Sequence, residues 1–167
     1  IIRDIPININ DEKKIIELVY IDDVIKKFLK LMDSSIKKIN FKNEEFIEPI
    51  YKITLGELVK KIYSFKKMNQ SKILDDVGSG LTKALYSTYI SYLPPEQFSY
   101  PVLQNIDSRG TFAEIFKTDK CGQISYFTAH TGVTRGEHYH NSKTEKFLVV
   151  KGKACFKFFH MDTKIKY

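Results

Sequence analysis

Arginine is scarce in this chain. Of 27 basic residues only Arg3, Arg109 and Arg135 are arginine, and the rest are lysines spread along the sequence, often paired as in Lys26-Lys27 and Lys60-Lys61. The net charge is +7. Lysine scattered in this way is a compositional bias rather than a stripe that tracks phosphates, so nucleic acid is not expected as a partner. Tryptophan is absent, and the two cysteines, Cys121 and Cys155, cannot make a disulfide framework in 167 residues. Free thiols in a reducing cytoplasm are the expectation. No apolar run approaches the roughly 18 residues of a membrane span, which argues against a membrane partner. No signal peptide is visible, although the chain starts at Ile1 rather than methionine and stops at Tyr167 inside a strand-like pattern. Both ends read as cut.

What is present suits a globular protein, with 43% hydrophobic and 28% charged residues. The length allows one ordinary domain or parts of two. IPINI (5–9) is a short strand candidate. The near-continuous apolar run IIELVYI (15–21) predicts a buried strand, and Asp22-Asp23 then predicts an Asp-capped helix with Val24, Ile25, Phe28, Leu29 and Met32 at helical spacing. Thr54-Leu-Gly-Glu57 fits a capping box, with Leu55, Leu58, Val59, Ile62 and Tyr63 on one face of the helix that follows. A break at Gly78-Ser79-Gly80 precedes an aromatic-rich run. Pro94-Pro95 then ends the helical pattern. Beyond it, residues 110–117, 123–130, 145–151 and 153–160 read as four strands, which puts a domain boundary near residues 92–98.

The densest chemistry lies in GVTRGEHYHNSKTEKFLVVKG (132–152). His138 and His140, one residue apart on an extended segment, would point the same way, and Glu145 would return from the start of the next strand. Two imidazoles and a carboxylate make a plausible first shell for a divalent metal with positions left open. Gly132 and Gly152 fall where the chain should turn. His130 and His160 lack such company and read as ordinary strand residues.

These spacings match the first motif of the cupin family, G-x5-H-x-H-x4-E-x6-G, without departure. The resemblance implies a small antiparallel β-barrel holding a metal or a sugar. The family's second motif, source of a fourth histidine ligand, does not occur before Tyr167. NIDSRGTFAEIF (105–116) and GVTRGEHYH (132–140) resemble segments of the deoxysugar 3,5-epimerases, a likeness that makes His138 the catalytic base. Two of the three arginines fall in these segments, and Arg109 and Arg135 are the candidate substrate-binding residues, since a planar guanidinium can grip a diphosphate or carboxylate. A metal-bound histidine cannot also be the free base, so the two likenesses conflict at His138. The Glu145 register favours metal.

In the first half, ELVYIDDV (17–24) and TLGELVKKI (54–62) resemble the later part of extended short-chain dehydrogenases that act on nucleotide sugars. That family's glycine-rich loop and catalytic Tyr-x-x-x-Lys are not found. Tyr63 and Lys67 have the spacing but lie on the wrong side of the VYIDDV element. Taken together, with LYSTYISYLPPEQFSYPVLQNIDSRGTFAEIF (85–116) as the junction, the chain resembles the bifunctional capsular-polysaccharide enzymes.

That resemblance implies an α+β fold: residues 1–93 as the helix-rich C-terminal part of a reductase domain, and 94–167 as the first part of a cupin, an incomplete antiparallel barrel. It further implies a UDP-sugar substrate, C3 epimerisation of a UDP-4-keto-6-deoxy-N-acetylhexosamine in the cupin, C4 reduction with NADPH in the reductase, zinc at His138, His140 and Glu145, and a cytoplasmic homodimer. The 167-residue piece itself is expected to be inactive. An iron-dependent cupin oxygenase and a non-catalytic sugar-binding cupin are the rival readings.

Overall fold

The computed structural model describes residues 1–33, 47–120 and 122–167, and Cys121 lies outside them. The chain divides into two compact units, Ile1–Val133 and Thr134–Tyr167. This boundary is one of contacts. The expected division at 93/94 concerns which enzyme each segment resembles.

In the first unit, β1 (Ile15–Leu18) pairs antiparallel with β2 (Tyr51–Thr54), in register Ile15 to Thr54. The expectation of a buried strand fails here. With only one neighbouring strand Ile15 remains 64% exposed, and β1 alternates between exposed and half-buried positions. IPINI forms no strand.

Helix α1 (Ile21–Met32) leaves β1 almost at once, but Tyr20 rather than an aspartate is its N-cap, with no side-chain cap bond. Asp22 and Asp23 instead occupy the first turn, where they complement the positive end of the helix dipole. The predicted apolar stripe exists but is not covered: Ile25, Phe28, Leu29 and Met32 are 48% to 77% exposed.

Helix α2 (Leu55–Ser71) begins with the predicted capping box. The Thr54 hydroxyl accepts from the Glu57 N–H at 3.2 Å, and the Thr54 N–H donates to Glu57 Oε2 at 3.2 Å. Of the expected face, Leu55, Leu58, Val59 and Ile62 are half-buried, and Ile62 packs against the core. Phe65 and Met68 are buried, while Tyr63 is exposed. The reason is α3 (Gly80–Ser91), which docks against the C-terminal half of α2. Phe65, Met68 and Tyr89 form the centre of the core, with Phe65 edge-on to Tyr86 at 5.2 Å. Aromatic edge contacts of this kind favour a fixed packing angle.

After a short 3-10 turn at Pro95–Gln97, β3 (Asn105–Asp107), β4 (Gly110–Thr118) and β5 (Gly122–Phe127) form an antiparallel sheet in that order. β4 lies at the centre and carries a bulge between Glu114 and Phe116. Backbone bonds continue past β5, with Thr128 N–H donating to Thr111 and His130 N–H to Arg109. The sheet is tied to the end of α2: Lys117 donates to Lys72, and Leu74 to Lys117, at 2.8 and 2.7 Å.

The second unit has less regular structure. Residues 145–151 and 153–160, expected as strands, form no ladder, and the one isolated pairing described in this unit joins Phe159 to Lys166. An extended apolar segment becomes a strand only when a neighbour takes its N–H and C=O groups. Phe147, Leu148, Val149 and Val150 are correspondingly exposed, Leu148 at 85%. The fold is thus mixed α and β with antiparallel sheets and, among the described residues, no closed barrel.

Candidate metal centre

The second unit brings His138, His140 and Glu145 together. One ligand atom from each lies within 4.8 Å of the others. The local chain is not the strand expected from the HxH spacing. Gly136 (φ +107°) and Glu137 (φ +59°) both take left-handed backbone just before His138. Glycine makes the first of these inexpensive. The two imidazole rings still meet edge-on, their centres 4.8 Å apart and their planes inclined at 71°. Glu145 closes the group, its Oε1 lying 3.3 Å from His140 Nε2.

Burial works to raise the Glu145 carboxyl. The Lys143 ammonium, 3.2 Å from Oε1, and more weakly His140 and His138 outweigh it and hold the acid below its ordinary range. The carboxylate is therefore the form available to a cation.

The donor set fits a divalent ion of the zinc type. Ligand atoms around such an ion stand about 3.3–3.5 Å apart at ordinary bond lengths, so closing from 4.8 Å requires only small side-chain rotations. All three residues are exposed, which leaves space for water or a substrate oxygen as further ligands.

The remaining candidates lie elsewhere. Arg109 sits in the tight turn between β3 and β4, where its guanidinium grips Asp107 through Nε at 3.0 Å and Nη2 at 2.6 Å. The Asp107 carboxylate also accepts the Arg109 N–H at 2.8 Å. This arrangement fixes the arginine's stem but commits part of its fork. Arg135 belongs to the second unit and is half-buried. His130 and His160 are in neither strand nor metal cluster; the His160 Nδ1 accepts from the Thr163 N–H in a turn. The sequence does not single out Lys143, which the structure places against the Glu145 carboxylate.

Two levels of similarity bear on this site. Residues 105–167 match the family described as the polysaccharide biosynthesis C-terminal domain. The chain is also 56% identical over 158 residues to a UDP-2-acetamido-2,6-beta-L-arabino-hexul-4-ose reductase of Pseudomonas aeruginosa, a match covering 95% of this chain and 42% of that protein. Crystal structures give the same direction. Capsular polysaccharide assembling protein CapF from Staphylococcus aureus superposes with a TM-score of 0.73 at 36% identity, covering 84% of this chain and 37% of that one. CapF with the inhibitor 3-isopropenyl-tropolone gives 0.74 and 36%, with 84% and 40% covered. The chain therefore spans less than half the length of these relatives, and its resemblance to the bifunctional capsular-polysaccharide enzymes holds. Among the described residues, no helix is long and apolar enough to cross a membrane.

Proposed function

We propose that this chain is part of a cytoplasmic, homodimeric nucleotide-sugar enzyme for capsule or surface polysaccharide, in which residues 1–93 belong to an NADPH-dependent reductase and 94–167 to a cupin epimerase. The observation that carries the second assignment is the convergence of His138, His140 and Glu145 within 4.8 Å. The substrate class comes from the 56% identical relative, whose name specifies a UDP-linked hexul-4-ose, a 4-keto sugar.

The chemistry follows from the ketone. A hydrogen on C3, next to the 4-keto group, is acidic enough to be removed once the negative charge left behind is stabilised. A zinc ion held by His138, His140 and Glu145 would supply positive charge for that purpose. Epimerisation then requires a base to take the C3 proton and an acid to return one to the opposite face, with no net oxidation. His138 has an imidazole suited to proton transfer near neutral pH. As a ligand it cannot serve as that base, so we place it first in the metal shell and second as the proton acceptor. Arg109 and Arg135 are each a candidate to bind the diphosphate, since a guanidinium can pair with it through two hydrogen bonds. Reduction at C4 is a separate two-electron step, with hydride from NADPH.

The test uses the complete protein and the UDP-4-keto-6-deoxy-N-acetylhexosamine in heavy water without nicotinamide. Deuterium should enter at C3, because proton exchange needs no hydride. Absence of exchange, with the sugar nucleotide still bound, would replace the epimerase by a sugar-binding cupin.

A further inference from the structure

The carboxylate oxygen that completes the metal cluster is already held by a cation. Glu145 Oε1 lies 3.2 Å from Lys143 Nζ and 3.3 Å from His140 Nε2. Both nitrogens lie against one oxygen of the carboxylate that a metal would also need. If Oε1 is the ligand atom, an ion at ordinary zinc–oxygen distance would stand no more than about 5.4 Å from the Lys143 ammonium.

A dication and an ammonium at that separation repel, and the partly exposed position weakens the repulsion without abolishing it. The lysine side chain is 49% exposed and long enough to swing away into solvent. It can therefore occupy the carboxylate when the ion is absent and leave when the ion arrives.

We propose that Lys143 is a built-in competitor at this site, a positioning residue that holds Glu145 ready in the metal-free protein and lowers its affinity for divalent metal. The proposal rests on the metal-site reading above. It makes Lys143 a determinant of how easily the ion is loaded and lost, rather than a ligand. Two features distinguish this from a structural role. The effect must follow the charge of residue 143, and it must fade as salt screens that charge.

The experiment measures zinc affinity of the complete protein by competition with a colour-forming chelator at fixed pH. Lys143→Gln should tighten zinc binding about 3- to 10-fold at low salt, the range open to a partly screened charge. Lys143→Arg should restore wild-type affinity, since it keeps the charge. Lys157→Gln, an equal change of charge outside the cluster, should have little effect. The gain in Lys143→Gln should shrink towards nothing near 1 M salt, where the screening length is about 3 Å. Unchanged or weaker binding by Lys143→Gln would overturn the role of Lys143 while leaving the metal site intact. Failure of both wild type and variant to compete for zinc would remove the metal site, and this proposal with it.

Discussion

A Cβ atom on Gly110 would stand 2.5 Å from the carbonyl oxygen of Thr128. A Cβ carbon cannot approach a backbone oxygen so closely. Gly110 also takes φ +134°, a region that residues with a Cβ rarely enter. The two constraints meet at the tight turn that presents Arg109, where Thr111 N–H also donates to Thr128 Oγ1 at 2.9 Å.

Gly110→Ala should therefore destabilise the protein by about 1–3 kcal/mol through backbone strain and displacement of Thr128. Urea unfolding followed by circular dichroism measures this. A variant as stable as wild type would mean that the turn relaxes and that the glycine is dispensable.

The capping box at Thr54 and Glu57 gives a pH prediction. Hydrogen bonds from Thr54 hold the Glu57 carboxyl below its ordinary range. A carboxyl depressed in the folded state contributes stability that is present above its unfolded value and is lost as pH falls through the folded one. Glu57→Gln should lower thermal stability at neutral pH and flatten the acid limb of the profile, so that variant and wild type converge at low pH. Thr54→Ala should cost about 1 kcal/mol at neutral pH. Identical acid limbs in Glu57→Gln and wild type would show that the charge of Glu57 contributes nothing to stability.

Exposed apolar surface makes a third prediction. Phe28, Leu29 and Met32 on α1, with Leu148 and Val150 in the second unit, are 59% to 85% exposed. Patches of this kind favour association. The 167-residue chain expressed by itself should form concentration-dependent oligomers in light scattering, and paired Leu148→Lys and Val150→Lys substitutions should reduce them. A monodisperse monomer would show that these faces are covered by other means.

The parts of this structure that were legible in the sequence are those whose cause is local. Thr54 and Glu57 satisfy each other's backbone donors within one turn, so four letters suffice to mark the start of α2. The histidine and glutamate spacing likewise forecast the cluster, although through irregular backbone with positive φ at Gly136 and Glu137 rather than a strand. Features that depend on a distant neighbour were not legible. The core face of α2 is chosen by α3, which buries Phe65 and Met68 and leaves Tyr63 in solvent. Residues 145–151 have strand-like composition, but no partner among the described residues supplies the ladder. Lys143 was missed because a lone lysine gains meaning only from the carboxylate it faces.

The most direct test of the account is the rate of C3 hydrogen exchange in site variants of the complete protein. With the UDP-4-keto-6-deoxy-N-acetylhexosamine in heavy water and no NADPH, His138→Ala and Glu145→Ala should each slow deuterium entry at C3 by about a hundredfold or more. Reduction at C4 of an already epimerised sugar, with NADPH supplied, should stay within a few-fold of wild type, because hydride transfer makes no use of the cluster. Exchange at the wild-type rate in both variants, with reduction intact, would contradict the central claim that His138, His140 and Glu145 serve the proton chemistry.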